Sequence, residues 1–321
     1  MGTIIRNIFL FILCTLVFYV GISAIMTNIS IGSKPVTYYT ANYQVVRGAN
    51  TFRRWEEFDR SSQYDIIFLG TSRCNQVYDP AYFESRGYKT FNFGGSHQPI
   101  ENTFAFFDNY IHSENTKCVV LDLSDLAFFE ITDPLPSDFD IIMNSPDISA
   151  ARDILLRDRD VRIANIFLAR IFYPDRLISH ATGKTYRQKG FLCYTDTMSE
   201  KFCEEMKAGL HKVQVPVVWS DERFTKLESL IRLCAERNIK LIPVIGPTNS
   251  LYTGEIMAES VARYKQVFSK YNVPVYDLHE IPGIESCVHF YDELHMNEAG
   301  VNIYSPYVME HIGAVLPPPS L

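Results

Sequence analysis

The sequence predicts a three-layer α/β/α domain around a mostly parallel five-stranded sheet, preceded by a single membrane-spanning helix. Two observations predict it. From Tyr64 onward, short apolar runs ending in glycine or polar residues alternate with amphipathic stretches, and from Asn7 to Ser33 the chain carries no charge. Strands that alternate with helices require right-handed crossovers, which make the strands parallel and cover both faces of the sheet.

The chain of 321 residues is 47% hydrophobic and 21% charged, with 22 Phe and 19 Tyr, enough for a sizeable core and far from a disordered composition. That length allows one large domain with an insertion, or two modest ones. Against 37 Asp and Glu stand 30 Lys and Arg, a net charge of −7 with no basic run. This argues against nucleic acid as a partner, because phosphate binding takes clustered Lys and Arg.

The charge-free start reads IFLFILCTLVFYVGISAIM from Ile8 to Met26. As a helix it is long enough to cross about 30 Å of hydrocarbon. We assign residues 7–26 as a transmembrane signal-anchor, 27–63 as a juxtamembrane stalk, 64–312 as the α/β domain with an insertion at about 125–218, and 313–321 as a tail. A cleaved signal peptide would have an apolar core of ~7–15 residues ending at small residues. The run here is longer, with only a poor candidate site around Ser23 and Ala24. Arg6 before the run and Lys34 after it give a slight bias toward an inside N-terminus. Either form, anchored or cleaved, exports the domain. Beyond residue 33 the chain has 29 basic against 37 acidic residues, a net of −8.

The elements follow in order. Asp65–Leu69 is a first buried strand ended by Gly70, and Thr90–Phe93 a second ended by Gly94 and Gly95. Phe104, Phe107 and Ile111 recur at helical spacing before a third strand, Cys118–Leu121. Ser220 caps a helix with the stripe Phe224, Leu227, Leu230, Ile231 and Cys234, stopped by Asn238. Lys240–Ile245 is a fourth strand despite Pro243, residues 256–271 a helix, Val273–Leu278 a fifth strand and residues 297–312 a last helix. The insertion is helical over 147–173, where the mixed charges from Arg152 to Arg162 read as a solvated face. It should sit beside the strand C-termini, where α/β folds bind ligands.

Chemistry is therefore sought after each strand. Gly70-Thr71-Ser72-Arg73 puts hydroxyls at a strand-to-helix turn, where Ser72 is either a helix cap or a nucleophile whose own N–H faces an oxyanion. Gly94-Gly95-Ser96-His97-Gln98 allows close backbone approach, and His97 alone is no more than a surface histidine. Asp122-Leu123-Ser124-Asp125 follows the third strand. Near the end stands Tyr291-Asp292-Glu293-Leu294-His295-Met296-Asn297-Glu298-Ala299-Gly300. A serine needs a base, an imidazole needs an orienting acid, and an acid three residues before a histidine can supply it. Of eight histidines only His295 has one there. Chance alone gives roughly half such a motif, so its place on the same rim as Ser72 adds the weight.

Taken together, Gly70-Thr71-Ser72, Asn92-Phe93-Gly94-Gly95 and Asp292-x-x-His295-x-Asn297-x-x-Gly300 resemble the SGNH (GDSL-like) hydrolase superfamily over about 65–120 and 220–312. The resemblance implies a flavodoxin-like sheet, no cofactor, and a triad of Ser72 as nucleophile, His295 as base and Asp292 as orienting acid. It implies oxyanion donors at Ser72, Gly94 or Gly95, and Ser124, and substrate contacts at Arg73, His97 and Asn297. One block departs: Ser124 stands where the family usually has an asparagine amide. Losing one oxyanion donor costs on the order of 2.7–4 kcal/mol in barrier.

The N-terminal helix, the first block and the insertion look most like membrane-anchored members that modify exported glycopolymers, such as alginate O-acetylation proteins and the D-alanyl transfer protein of teichoic-acid modification. By that likeness the chain is an O-acyltransferase or esterase on a cell-envelope or secreted glycan, working beside a multi-pass membrane O-acyltransferase. The alternative is a catalytically inactive module that binds carbohydrate or serves assembly, with Ser124 as its clue. An anionic glycan would need a basic groove, sought at Arg176, Lys184, Arg187 and Lys189. No His-x-x-x-His or paired-cysteine spacing points to a metal. Of seven cysteines, Cys118 and Cys234 read as core and Cys14 as membrane, and Cys193 and Cys203 are candidates to pair in an oxidising compartment.

Overall fold

A computed structural model describes residues 2–32, 34–40, 47–131, 135–172, 178–179, 185–212, 217–253 and 256–320. The sheet comprises β1 Tyr64–Leu69, β2 Thr90–Asn92, β3 Thr116–Asp122, β4 Lys240–Ile245 and β5 Tyr276–Asp277. Its order is β2-β1-β3-β4-β5 and every pairing is parallel. That is the flavodoxin-like order, whose reversal between β1 and β3 opens a crevice at the carboxyl ends of those two strands.

β1 is buried at every position. That is why it reads as an unbroken apolar run rather than an alternating one. β5 is shorter than expected because it lies at the sheet edge and Pro274 has no N–H to pair. Pro243 is tolerated for the same reason: β5 reaches only Val244 and Ile245, so up to Pro243 β4 is itself an edge.

The helices that matter below are α1 Gly2–Asn28, α2 Ser72–Val77, α3 Ile100–Tyr110, α4 Ser149–Asp158, α5 Val161–Phe172, α6 Glu200–Lys207, α7 Asp221–Glu236, α8 Met257–Ser269 and α9 Glu298–Ile312. On one face of the sheet Ile66, Phe68, Cys118, Val120, Ile242 and Val244 pack with Cys74 and Val77 of α2 and with Val301, Tyr304 and Val308 of α9. Alternate side chains point to the other face, where α3 packs on α7. Ser220 caps α7 as expected, accepting from the Arg223 N–H, and Asn238 ends it in the left-handed conformation at φ 53°.

The chain forms two compact units, 1–52 with 138–181 and 53–137 with 182–321. In the first, α1 packs along α5, and Arg170, buried on α5, donates to the Ile142 carbonyl and to Ser145. α1 is long and apolar enough to cross a membrane. In the second lies the sheet. Residues 53–58, expected in the stalk, belong to it: Trp55 and Phe58 are buried against Phe93, and Trp55 stacks on Phe106. Their polar neighbours Arg53, Glu56 and Glu57 hid that amphipathic turn from a reading by composition.

Candidate active site

β1 delivers the serine. The chain leaves it through Gly70, where a Cβ would come within 3.0 Å of both the Asp122 backbone oxygen and its Cβ. No other residue fits without moving β3. Thr71 is the cap of α2, its hydroxyl accepting from the Arg73 N–H at 3.3 Å. The capping hydroxyl is thus that of Thr71, and the Ser72 hydroxyl is left for another partner. Ser72 opens the helix, so its N–H has no carbonyl four residues earlier to bond.

The partner is His295. Its Nε2 lies 2.8 Å from Ser72 Oγ, across 223 residues of sequence, and its Nδ1 lies 2.8 Å and 3.0 Å from the two carboxylate oxygens of Asp292. With the proton on Nδ1 donated to Asp292, Nε2 is the acceptor that faces the serine. Burial pushes the Asp292 carboxyl up, but the His295 ring and the N–H groups of Leu294 and His295 outweigh it and hold it below the usual carboxylate range. Asp292 therefore stays charged while it orients the ring.

The sequence missed Tyr291. Its hydroxyl is 3.3 Å from His295 Nδ1, and its ring stacks on Tyr194 at 3.8 Å. Adjacent to the motif, it carried no signal of its own, since which side a turn presents is not a matter of spacing. Also missed was the disulfide. Cys203 on α6 is bonded to Cys287, 84 residues away, with Cα atoms 5.5 Å apart. Cys193 is a buried free thiol, so the pairing of Cys193 with Cys203 is corrected. Proximity of two loops distant in sequence sets the bond, and no local pattern announces it.

Several expected roles do not survive the geometry. The Gly94 N–H donates to Asn92 Oδ1 at 2.9 Å and the Gly95 N–H to the Gly70 carbonyl at 3.1 Å, so neither is free as an oxyanion donor in this arrangement. Gly94 is glycine for another reason: a Cβ there would meet the Asn75 nitrogen at 2.5 Å and the Thr71 oxygen at 2.7 Å. Asn297 does not face a substrate, because its Oδ1 caps α9 by accepting from the Gly300 N–H and its Nδ2 donates to the Val288 carbonyl. His97 is exposed in the left-handed conformation, and partial desolvation with the nearby charge of His295 lowers its imidazole. It stays a candidate for substrate contact.

Arg73 points inward. It is 4% exposed, and Nη2 donates to the Gly246 carbonyl at 3.0 Å. Around it burial pushes the Asp122 carboxyl up to about 6, against the pull of Arg73 and a hydrogen bond from Tyr78, and burial raises Asp125 too. Ser124 Oγ, wholly buried, has no hydrogen-bond partner among the described residues. Of the basic residues sought for a groove, Arg187 pairs with Glu298 and Lys189 with Glu84, while Arg176 and Lys184 lie outside the described residues.

No family model and no curated protein matches the sequence. Among solved structures the chain is similar to one from Bacteroides fragilis assigned as an acylhydrolase, at 14% identity and TM-score 0.40 over 78% of this chain and 88% of that one. It is similar to a Streptococcus pneumoniae chain assigned as a platelet activating factor, at 11% identity and TM-score 0.44 over 84% and 91%. A third is a GDSL-like lipase from Bacteroides thetaiotaomicron, at 11% identity and TM-score 0.40 over 83% and 99%.

Proposed function

We propose that the chain is a serine acyl-transfer enzyme of SGNH type, anchored by α1 with its catalytic domain outside the cytoplasm. The observation that carries it is the relay from Ser72 Oγ to His295 Nε2 and from His295 Nδ1 to Asp292. His295 takes the Ser72 proton as Oγ attacks an ester or thioester carbonyl, and the Ser72 N–H faces the oxyanion that forms. The imidazolium, steadied by Asp292, then protonates the leaving group and leaves an acyl-serine. In the second half His295 deprotonates an acceptor hydroxyl, that of water in an esterase or of a glycan in a transferase, with the multi-pass acyltransferase as a candidate donor of the acyl group. The Cys203–Cys287 bond supports export, since disulfides persist in oxidising compartments.

A second reading, a glycan-binding or assembly module without turnover, is favoured by one observation: the N–H groups of Gly94 and Gly95 are already engaged. A serine-directed fluorophosphonate separates the two. The full-length protein in detergent should be labelled and Ser72→Ala should not. No label on either protein, with His295 intact, favours the module, and equal label on both removes Ser72 as nucleophile.

A further inference from the structure

α5 is apolar on two faces. Ile163, Ile166 and Ala169 are buried with Arg170. Val161, Ala164, Leu168 and Ile171 follow one another at helical spacing on another side, and the ends of that stripe, Val161 and Ile171, are 61% and 47% exposed. Ile148 at the start of α4 and Leu156 within it are exposed as well. A helix with two apolar faces buries both, in a protein core or in lipid, and α5 has a core on one side only.

Its depth is set by α1. The Tyr19 hydroxyl donates to Asn165 Oδ1 of α5 at 2.7 Å. The part of α1 that is exposed without interruption runs from residue 2 to residue 18. At about 1.5 Å per residue it measures roughly 25 Å, short of the ~30 Å hydrocarbon core. To fill the core, α1 must place Tyr19 and the turns after it in the membrane, and Tyr19 is the residue whose hydroxyl meets α5. Tyr19 lies about 10 Å of helix before Met26, the end of the apolar run. Arg159, exposed at the junction of α4 and α5, can reach headgroups along its apolar stem.

We propose that α5 is a second membrane-contacting element, lying beside the C-terminal third of α1 with Val161, Ala164, Leu168 and Ile171 against the acyl chains. The occupant of that stripe is the bilayer. The inference rests on α1 as a membrane span and is independent of the chemistry at Ser72. It turns a single-pass anchor into an anchor with an interfacial collar.

The test uses the full chain, with Cys14→Ser as background, reconstituted in vesicles of phosphatidylcholine and phosphatidylglycerol. An environment-sensitive thiol probe is placed in turn at Leu168→Cys, Ile171→Cys, Phe11→Cys in α1 and Glu236→Cys on exposed α7. Doxyl-labelled lipid should quench Leu168→Cys and Ile171→Cys as it quenches Phe11→Cys, leaving Glu236→Cys bright, and aqueous iodide should do the reverse. Quenching of both α5 probes by iodide and not by lipid overturns the proposal. So does protection of both from either quencher, which would point to a second copy on the stripe. A Phe11→Cys probe that lipid does not quench removes α1 from the membrane and the proposal with it.

Discussion

Ser72 and His295 lie 2.8 Å apart yet are held by unlike means. Ser72 begins α2 directly from β1, a strand buried at every position, in a turn where Gly70 and Gly94 leave no room for any other residue. His295 belongs to residues 279–297, which hold only isolated bridges. That segment is fixed from outside: the Met198 N–H donates to the Phe290 carbonyl, the Glu298 N–H to the Tyr194 carbonyl, and Cys287 is bonded to Cys203. The place of Ser72 thus follows from the sheet, while that of His295 depends on the insertion. Mutations should separate the two, with chemistry failing on both sides but mobility appearing only on the histidine side.

The largest effect is expected at Asp292. Asp292→Asn leaves a similar shape but presents an amide to Nδ1, so the ring takes the tautomer whose Nε2 bears the proton and cannot accept from Ser72. The rate of fluorophosphonate labelling should fall by about 10⁴-fold, as for a triad that loses its acid. A loss below about tenfold would mean that Asp292 does not set the tautomer, and the histidine side would reduce to a passive neighbour.

Next in size is the disulfide. It closes a loop of 84 residues, for which chain entropy alone gives about 4.6 kcal/mol and native bonds typically about 2–4. Cys287→Ser, or reduction of the intact protein, should lower the stability read by denaturant unfolding by about 2–4 kcal/mol. It should also raise amide exchange in 279–297 while leaving β1 and α2 protected. Exchange that rises equally around Ser72 and His295 would dissolve the contrast between sheet-held and loop-held residues.

What was legible in the sequence divides along the same line. β1, β3, β4 and α7 were readable because buried parallel strands are unbroken apolar runs and because Ser220 and Asn238 mark the helix ends. Asp292 and His295 were readable because three residues is the reach of one turn. The roles given to Arg73 and Asn297 were not, since whether a polar side chain faces a cleft, a carbonyl such as that of Gly246 or a helix end is decided by packing. Tyr291, Cys287 and the inclusion of Trp55 in the core are likewise tertiary facts with no local period.

The smallest expected effect lies beneath the serine and has the opposite sign to that at Asp292. Burial raises Asp122 to about 6, whereas Asp292 is held below the ordinary range. A carboxyl whose folded value exceeds its unfolded value of about 3.9 binds more protons in the native state, so its contribution to stability is full below about pH 4 and is lost as pH rises through about 6. A rise of about 2 units corresponds to roughly 2–3 kcal/mol, an upper figure because Arg73 stays charged beside it. Asp122→Asn cannot titrate. Relative to that variant, the native protein should therefore lose up to about 2–3 kcal/mol between pH 4 and pH 7 in denaturant unfolding. Asp292→Asn should show the reverse sense, with the native protein losing ground to the variant as pH falls below about 4, because a lowered carboxyl gives up its stabilisation on protonation. If the gap between native protein and Asp122→Asn is the same at both pH values, the carboxylate beneath Ser72 is ionised throughout, and the buried serine side is better solvated than its packing implies.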